Sequence, residues 1–393
     1  MPNRKIENPS FIALGLNEWD GMWMNRQQFM SRIGKLFPTI YSNGGWFSWE
    51  LKEAISKSSF WGGFKVQDNV HLDQSPISFI RYPKIKFCDD FSLKMLGSRL
   101  NRKADQISTN GTRILYVFHP MFSDYIKNIP HDVLIYHCYD NFSQMHGCES
   151  EKLKAGEDLL CEKADYIFTS SEGTRERFID EYHRADTIFI PNGVDFDMFN
   201  NASETPPKPF SLSDGFSASV GYVGSINDKL DLLLIDKLSD KMKDVRFVFV
   251  GRANNHSNET SLIWDKITSK GNVVHHKHCD RHVVPSILKS MDVNCLYYDM
   301  NDSGFARDGY PLKLHECLAS GKPLVSSGLR SVKSFSDVVL IAETVEDWEH
   351  SIRKAILNPE LAPSTTSSRI LKASQNSWDK RVDLILNHLF LSK

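Results

Sequence analysis

The sequence predicts an α/β protein of two doubly wound domains, each with a parallel sheet covered by helices on both faces. Short apolar runs rich in β-branched and aromatic residues recur along the chain and alternate with amphipathic stretches of helix length, which is the pattern of such sheets. A segment with three prolines and few apolar residues, 201–215, interrupts the alternation and has the composition of a linker. The length of 393 residues suffices for two domains of ordinary size.

The first domain, residues 1–200, begins with the apolar run FIALGL and continues in the same pattern. Its predicted strands are 11–16, 113–119, 132–138, 166–171 and 187–193. Between residues 149 and 163, leucines lie among charged side chains at the spacing of a surface helix. Strands that are apolar throughout indicate a sheet buried on both faces.

The second domain, residues 216–370, repeats this alternation. Its predicted strands are 219–225, 245–252, 272–276, 293–298 and 323–327. Its predicted helices are 229–242, 281–290 and 311–320. Ligands of such sheets bind at the carboxyl ends of the strands, so we expect a site in a cleft between the two domains.

Composition excludes several classes of protein. The 47 Lys and Arg are balanced by 49 Asp and Glu, for a net charge of −2, whereas a protein that coats DNA or RNA needs a surplus of cations. An anionic ligand must therefore be met by a local patch. The seven cysteines form no CxxC pair, so we predict neither a disulfide framework nor a cysteine-rich zinc site. The apolar stretch near the amino terminus is too short for a signal peptide or a membrane span, which predicts a cytoplasmic protein.

The most informative segment is DGYPLKLHECLAS, which begins at Asp308. It describes a loop, with Gly309 and Tyr310, that enters a helix. At such a helix end, free backbone N–H groups and the helix dipole bind phosphate. Lys313 would neutralise a diphosphate, and Glu316 would accept hydrogen bonds from two ribose hydroxyls. Asp308 would bind a sugar hydroxyl. The alternative interpretation is a capped surface helix without a ligand.

Asp308 and Glu316 are eight residues apart, and the stretch resembles the E-x7-E signature of family-four GT-B glycosyltransferases, with Asp in place of the first Glu. Lys313 is similar to a lysine that related bacterial exopolysaccharide glycosyltransferases carry near the donor diphosphate. The resemblance implies a GT-B fold of two Rossmann-like domains facing a central cleft. The tail 376–390 resembles the helix that crosses back in these enzymes, so residues 371–393 are expected to pack on the first domain.

The resemblance extends over nearly the whole chain. Residues 11–32 resemble the first strand, glycine-bearing loop and helix of these enzymes, where acceptor and donor groups meet. This places Asp20, Gly21 and Asn25 on the acceptor side. Residues 164–199 are similar to the strand and the NGVD turn that end the first domain of the family.

Two further segments resemble strand ends of the nucleotide domain. They are GYVGSINDKLD, residues 221–231, and VFVGR, residues 248–252. The resemblance implies that Gly224, Lys229 and Arg252 belong to the donor site, where the two cations contact the diphosphate.

The segment IYHCYDNFS places two polar residues at a strand end of the first domain. The resemblance implies that His137 is the active-site histidine that orients the donor sugar. Asp140 lies where the exopolysaccharide enzymes carry an acid that serves as general base, which must deprotonate the acceptor hydroxyl as it attacks C1 of the donor. The alternative is structural: a strand-end histidine with satisfied hydrogen bonds and an aspartate that caps a helix.

Two segments raise the question of a metal site. In HHKHCDRH, His278 and His282 would share a helix face, but the spacing matches no structural zinc pattern. The resemblance instead places this segment near the nucleotide base. Asp89 and Asp90 lack the intervening residue of a DxD site. We therefore predict no metal and no cofactor, because cations and helix ends bind the diphosphate in GT-B enzymes.

The region from Lys52 to Lys103 is basic, with ten Lys and Arg against five Asp and Glu. Aromatic residues lie just before or within it: Trp46, Phe47, Trp49, Phe60, Trp61 and Phe64. This combination suits a membrane interface that carries anionic lipid. The alternative is a set of core aromatics beside a solvated basic face.

Together these patterns predict a cytoplasmic GT-B glycosyltransferase of hexosyltransferase type. It would move a sugar from a nucleotide diphosphate sugar to an acceptor hydroxyl on a lipid-linked glycan for a bacterial surface polysaccharide, at the inner face of the cell membrane. One alternative is a sugar-nucleotide epimerase or hydrolase, which the basic aromatic region disfavours. Another is a catalytically silent partner subunit, which the presence of Asp140, Asp308 and Glu316 disfavours.

Overall fold

The computed structural model describes residues 5–21, 23–142, 150–205, 210, 215–253, 258–301 and 309–391. The chain divides into two compact units. The first unit comprises Met1–Pro191 and Arg381–Lys393, and the second comprises Asn192–Lys380.

The division between the units falls earlier than the predicted end of the first domain at residue 200. The reason is that the segment after Pro191 is bound to the second unit. Val194 pairs with Ser377 as an isolated bridge, and the side-chain amide of Asn192 donates a hydrogen bond of 2.7 Å to the carbonyl of Tyr310. Most of the predicted linker, residues 206–209 and 211–214, lies outside the described residues.

One sheet organises the described part of the first unit. Its strands are β1 (Ser10–Leu14), β2 (Thr39–Ser42), β3 (Gly63–Gln67), β4 (Val70–Gln74), β5 (Arg113–Val117), β6 (Val133–Cys138), β7 (Tyr166–Thr169) and β8 (Ile188–Phe189). The order is β3-β4-β2-β1-β5-β6-β7-β8, and all neighbours are parallel except the β3–β4 hairpin. The helices are α1 (Asn25–Leu36), α2 (Leu51–Lys57), α3 (Lys86–Ile107), α4 (Ser150–Lys163) and α5 (Glu172–Tyr182), with 3-10 turns at Ser48–Glu50, Ile77–Phe79 and Pro120–Asn128.

All the strands predicted for the first unit form. β1 and β6 are buried at every position, because an uninterrupted apolar run suits a sheet covered on both faces. The sequence analysis misses β2 and the β3–β4 hairpin. In that hairpin only Val70 and Leu72 are buried, which is the pattern of a sheet edge and lacks the apolar run of a central strand.

Glu157 of α4 is a buried charge that the interior compensates. Its side chain is 0% exposed, and Arg177 of α5 donates hydrogen bonds of 2.8 and 3.1 Å to its two oxygens. The hydroxyls of Tyr136 and Tyr182 donate to the same carboxylate at 2.9 and 3.2 Å. A buried ion pair is tolerated when its remaining lone pairs are also satisfied. The network thereby fixes α4 and α5 against β6.

The second unit contains a smaller sheet, in which every pair of neighbouring strands is parallel. Its strands are β9 (Ala218–Val223), β10 (Val245–Val250), β11 (Val273–His276), β12 (Val293–Leu296), β13 (Leu324–Ser326) and β14 (Leu340–Ile341), in the order β11-β10-β9-β12-β13-β14. The helices are α6 (Phe196–Asn200), α7 (Leu232–Lys241), α8 (Asn258–Thr268), α9 (Val284–Ser290), α10 (Leu312–Ala319), α11 (Arg330–Lys333), α12 (Val345–Leu357) and α13 (Thr366–Ser374). A last helix, α14 (Trp378–Leu391), begins in this unit and continues in the first. The fold class predicted from the sequence is confirmed.

In both sheets the first strand in the chain lies inside the sheet. β1 has β2 on one side and β5 on the other, and β9 has β10 and β12. The chain thus winds in opposite directions from β1 and from β9, and the loops that leave neighbouring strands diverge at their carboxyl ends. Ligands of doubly wound sheets bind at such points, so each unit is expected to carry a site at this edge.

Helix α14 carries the chain from the second unit back to the first. Its residues from Arg381 onwards belong to the first unit, where the ring of Phe390 lies 5.9 Å from that of Phe37. Residues up to Lys380 stay with the second unit, although the sequence predicts the return from residue 371. Among the described residues, no helix combines the length and the apolar character needed to cross a bilayer.

Candidate functional site

Two glycines shape the carboxyl ends of β9 and β10. Gly224 and Gly251 follow these strands directly, with φ angles of 151° and 142° that L side chains rarely adopt. A Cβ atom on Gly251 would overlap the carbonyl oxygen of Gly224. The two strand ends therefore approach each other at backbone distance, and the backbone at this edge is accessible to a ligand.

Lys313 reaches the same edge from the first turn of α10. A Cβ atom on Gly224 would overlap Cε of Lys313, and the Lys313 ammonium lies 5.4 Å from the centre of the Tyr222 ring. Burial acts to lower the pKa of Lys313, but Tyr222, Tyr298 and Glu316 raise it above its ordinary value. The lysine is therefore a fixed positive charge directly above a glycine strand end.

The amino terminus of α10 adds to this positive potential. Pro311 at its N-cap gives no side-chain hydrogen bond, and no acidic residue lies in the first turn. The N–H of Leu314 donates to the Pro311 carbonyl at 3.3 Å, whereas those of Leu312 and Lys313 have no hydrogen-bond partner among the described residues. These two N–H groups and the helix dipole therefore remain available to an anion. Together with Lys313 they form a site of the kind that binds phosphate.

Glu316 lies one turn further along α10 and is partly exposed. Burial raises its pKa, while the charges of Lys313 and Arg281 oppose the rise. A carboxylate in the field of two cations can accept hydrogen bonds from ligand hydroxyls. The sequence analysis does not assign Arg281 to the site, although it places the segment HHKHCDRH that contains it near the nucleotide base.

The loop before α10 is fixed by hydrogen bonds from neighbouring elements. The hydroxyl of Ser331 donates to the carbonyl of Gly309 at 2.7 Å, and Asn192 binds the carbonyl of Tyr310. The Tyr310 hydroxyl lies 2.8 Å from Nε2 of His315. The loop therefore presents the amino terminus of α10 in a defined position.

Lys229 and Arg252 lie on two loops at the same edge of the sheet. The N–H of Ile226 donates to the carbonyl of Arg252 at 2.9 Å, which joins the loops after β9 and β10. The N–H of Asp299 donates to the carbonyl of Lys229 at 2.9 Å, which ties this loop to the segment after β12. Both cationic side chains are exposed. The structure thus gathers the predicted donor residues of the second unit at one edge; Asp308 lies outside the described residues.

In the first unit, Asp140 follows β6 at the carboxyl edge of the sheet. One of its carboxylate oxygens accepts the N–H of Asn141 at 2.9 Å, and the side chain is partly exposed. Within the described part of the chain the second oxygen has no hydrogen-bond or ion-pair partner. Such a carboxylate is oriented but still able to accept a proton, as a general base must.

His137 lies within β6 and is 0% exposed. The rings of Phe29, Phe118 and Phe168 surround it at 5.0 to 5.7 Å, and the Tyr116 hydroxyl lies 2.8 Å from its Nδ1. Burial, with a further contribution from Arg26, lowers the pKa of His137 to about 3. The predicted contact between this ring and the donor sugar is not compatible with such burial, because a side chain inside a strand of a covered sheet points into the core.

His119 is a candidate that the sequence analysis misses. It follows β5, the neighbour of β1 at the point where the winding reverses, and its Nδ1 accepts the N–H of Met121 at 3.2 Å. Burial, and then Arg26, lower the pKa of His119 to about 4, so the ring is neutral. The sequence does mark this position. The predicted strand 113–119 ends at His119, directly before Pro120, so this histidine is expected at the carboxyl end of a strand.

The residues predicted on the acceptor side are placed differently from one another. Asp20 is exposed and accepts a hydrogen bond of 3.0 Å from the Gln67 side chain of β3. Gly21 forms an exposed turn, and Asn25 begins α1 with its side chain buried. Of the three, Asn25 lies at the amino terminus of a helix.

Among the described residues, no three His, Cys, Asp or Glu side chains lie close enough to hold a metal ion. In HHKHCDRH, Nε2 of His275 lies 2.8 Å from the Gly251 carbonyl. Asp89 forms an ion pair of 2.6 Å with Arg81. These side chains therefore have structural contacts.

Comparisons with known proteins show what the chain is similar to. Residues 217–358 match the sequence model of the family described as Glycosyl transferases group 1. The chain is 27% identical over 237 residues to TuaH of Bacillus subtilis, which is named as a teichuronic acid biosynthesis glycosyltransferase. That alignment spans 57% of this chain and 58% of TuaH, so less than two thirds of the relative is covered.

Solved structures share the fold of the chain at low identity. HepE of Anabaena, solved in complex with UDP and glucose, matches with a TM-score of 0.67 and 13% identity over 98% of this chain and 99% of its own. A UDP-forming α,α-trehalose-phosphate synthase of Burkholderia xenovorans matches with a TM-score of 0.66 and 13% identity over 98% and 99%. The starch synthase IV catalytic domain of Arabidopsis thaliana, bound to ADP and acarbose, matches with a TM-score of 0.65 and 11% identity over 99% of each chain. These findings confirm the predicted resemblance to GT-B glycosyltransferases.

We expect Gly224→Ala to destabilise the second unit by about 1–3 kcal/mol, because it forces a side chain into a rare backbone conformation and onto Lys313. Urea unfolding followed by circular dichroism measures this change. Gly271→Ala is the matched control, since a Cβ atom there meets nothing within 4 Å. Equal stability of the two variants would contradict the tight contact described here.

Proposed function

We propose that the protein is a GT-B glycosyltransferase of hexosyltransferase type. It transfers a sugar from a nucleotide diphosphate sugar to a hydroxyl of a lipid-linked glycan, in the synthesis of a bacterial surface polysaccharide. The observation that carries the proposal is the edge of the second unit, where Lys313, the open amino terminus of α10 and the backbone of Gly224 meet. The match to group 1 glycosyl transferases over residues 217–358 and the similarity to TuaH support it.

The donor diphosphate binds at this edge. The α10 N–H groups and Lys313 bind its oxygens, and the exposed Lys229 and Arg252 add positive charge. As the bond to the sugar breaks, negative charge grows on the leaving diphosphate, and preorganised cations stabilise that charge without a bound metal. Glu316 accepts hydrogen bonds from the ribose hydroxyls, which positions the nucleotide.

The acceptor binds at the carboxyl edge of the first unit. Its hydroxyl must lose a proton as it attacks C1 of the sugar, and Asp140 takes that proton. Neutral His119 and the end of β5 form the adjacent wall, where the ring of Phe142 lies 4.4 Å from that of His119.

A surface of the first unit suits contact with a membrane. Several large apolar side chains there are exposed: Trp49, Phe60, Trp61, Phe87 and Phe91. Lys84, Lys86 and Lys94 are exposed in the same part of the chain. Not all the predicted cations belong to this surface, because Arg81 pairs with Asp89 and Arg99 with Asp73. We propose that this surface rests reversibly on anionic lipid.

The first test concerns Glu316. We expect Glu316→Ala to weaken binding of the nucleoside diphosphate by roughly 1.5–3 kcal/mol, because a charge-assisted hydrogen bond to ribose is lost. A thermal-shift panel of UDP, GDP, ADP and dTDP sugars first selects the donor, and calorimetry then measures affinity. Glu346→Ala, an exposed carboxylate of the same unit, is the control. Unchanged affinity in a folded Glu316→Ala protein would remove Glu316 from the site.

A turnover assay tests whether Asp140 is the general base. Asp140→Asn is expected to lower turnover roughly 10²- to 10⁴-fold with donor affinity nearly unchanged, since only the proton acceptor is lost. The assay measures nucleotide release from the selected donor with a bacterial lipid extract as acceptor, in the presence of a chelator. Asp132→Asn makes the same change at the amino end of β6. Near-normal turnover in Asp140→Asn would make Asp140 structural, and loss of wild-type activity on chelation would contradict the metal-free reaction.

Vesicle sedimentation tests the membrane surface. The full chain is expected to pellet with anionic vesicles and to be released as salt rises, because each Lys near the surface contributes about 1 kcal/mol and salt screens it. Neutralising Lys84, Lys86 and Lys94 to Gln should reduce pelleting. Neutralising three exposed lysines of α4, Lys152, Lys154 and Lys163, should not. Equal loss in both triple variants, or equal binding to neutral vesicles, would exclude this surface.

A further inference from the structure

Arg26, the second residue of α1, is a buried cation without a carboxylate partner. Its side chain is 3% exposed. Its guanidinium lies 3.9 Å from the centre of the Tyr139 ring and donates to the side-chain oxygens of Asn17 and Asn25. Its Nε has no hydrogen-bond partner, and no acid of the described chain lies within ion-pair distance.

Three other buried arginines of this chain, Arg81, Arg177 and Arg369, are compensated. Arg81 forms ion pairs with Asp89 and Asp124, and Arg177 binds Glu157 through two nitrogens. Arg369 lacks a carboxylate but donates to backbone carbonyls, among them those of Gly321, Ser364 and Pro359. Among the described residues, Arg26 has two neutral amide oxygens and an aromatic face as its partners. Burying a charge costs several kcal/mol unless it is paired, so an anion is the missing partner.

The position of Arg26 is that of a ligand site. Its side chain crosses Gly15, which follows β1, because a Cβ atom on Gly15 would lie 3.1 Å from Cδ of Arg26. The guanidinium reaches Tyr139, which follows β6. The Arg26 side chain therefore extends from the carboxyl end of β1 to that of β6, across the point where the winding reverses. Tyr139, which it contacts, directly precedes Asp140 in the chain. The positive charge of Arg26 acts on other groups at this edge. Burial is the main cause that lowers the pKa of His119, and the charge of Arg26 is the second.

The amino terminus of α1 points to the same ligand chemistry. Its first turn contains no acidic residue, and its N-cap, Met24, makes no side-chain cap hydrogen bond. The positive end of the helix dipole thus adds to the guanidinium charge. A guanidinium binds carboxylate or phosphate through two parallel hydrogen bonds.

We propose that Arg26 binds an anionic group of the acceptor, a phosphate or a carboxylate, next to the hydroxyl that attacks the donor. The assignment to the acceptor rests on the function proposed above, in which the first unit binds the acceptor and the second unit has its own cations for the donor diphosphate. Two sources share this chemistry: the diphosphate of a lipid carrier and the carboxylate of an acidic sugar. Arg26 is then a specificity residue that selects a charged acceptor over a neutral one.

The test measures anion binding without turnover. The full chain carrying Lys313→Gln, which weakens the donor site, is titrated by calorimetry with inorganic pyrophosphate, with glucuronate, and with glucose as the uncharged match of glucuronate. We expect one of the two anions to bind and glucose not to bind. Adding Arg26→Met is expected to weaken that binding roughly tenfold to a hundredfold, the usual worth of a charge-assisted hydrogen bond. The anion that responds identifies the source.

Controls separate this role from a structural one. Lys35→Gln removes an exposed cation from the same helix and should leave anion affinity unchanged. Without anion, Arg26→Met should unfold at the same urea concentration as its parent or a higher one, because an uncompensated buried charge is removed. If Arg26→Met does not fold, Arg26→Lys replaces it, with weaker anion binding expected because a single ammonium cannot bind through two nitrogens.

Three results would overturn the proposal: no anion binding by the Lys313→Gln protein, equal affinity with and without the Arg26 substitution, or a parallel loss of UDP affinity in Arg26→Met alone. The last result would assign Arg26 to the donor. Failure of the function itself appears elsewhere, as unchanged nucleotide affinity in Glu316→Ala, and does not alter the anion titration.

Discussion

Parallel pairing about an internal first strand is the constraint on which the candidate sites depend. β1 pairs with β5 along its whole length, from Ser10 to Leu14. β9, in contrast, pairs with β12 only at Val220 and Gly221, while its pairing with β10 continues to Val223. The carboxyl ends of β9 and β12 therefore part, and their backbone groups must be satisfied by something other than a strand. The loop that contains Lys229 satisfies some of them, and the remaining groups form the edge at which we propose that phosphate binds.

Two buried charged side chains, Glu157 and Arg26, differ in how their charges are compensated. Glu157 is surrounded by Arg177 and two tyrosine hydroxyls, so the desolvation of its charge is offset within the protein. Arg26 is equally buried, yet its surroundings are neutral. A residue that stabilised only the fold would gain from a carboxylate nearby. Local rules broken without compensation are expected at functional sites, which is why the contrast between these two charges is informative.

Much of the fold could be predicted from the sequence, because apolar runs and helix-length spacers are direct consequences of a parallel sheet buried on both faces. The β3–β4 hairpin could not, since an edge has few buried side chains to mark it. Helix α3 is hard to predict for a related reason: its many charged residues have the composition of a solvated basic region, and its buried face includes Leu93, Leu96 and Leu100. Lys313 and Glu316, which we propose to bind the donor, could be grouped from the sequence because they are close in the chain.

The first-unit site was harder to predict, because its residues come together only through the sheet. His137 is the last residue but one of β6, whereas His119 lies two residues beyond the end of β5. A short step along the chain thus separates a side chain inside a strand from one in the loop that follows it. Arg26 carries no motif of its own, and its isolation from acids is visible only in three dimensions.

The candidate sites of the two units share an electrostatic feature, a helix that has a cation and no acid in its first turn. An acidic residue in the first turn stabilises a helix by about 0.3–1 kcal/mol. Acidic residues are common in this chain, which has 49 of them. Helices α5 and α12 have them in the first turn, as Glu172, Glu346 and Asp347. Helices α1 and α10 lack such an acid, as do α7, α9, α11 and α13. What α1 and α10 share is a cation at the second position, Arg26 and Lys313. A net charge of −2 is thus compatible with the two cationic sites that we propose, because a helix end with a cation can attract an anion locally, whatever the charge of the whole protein.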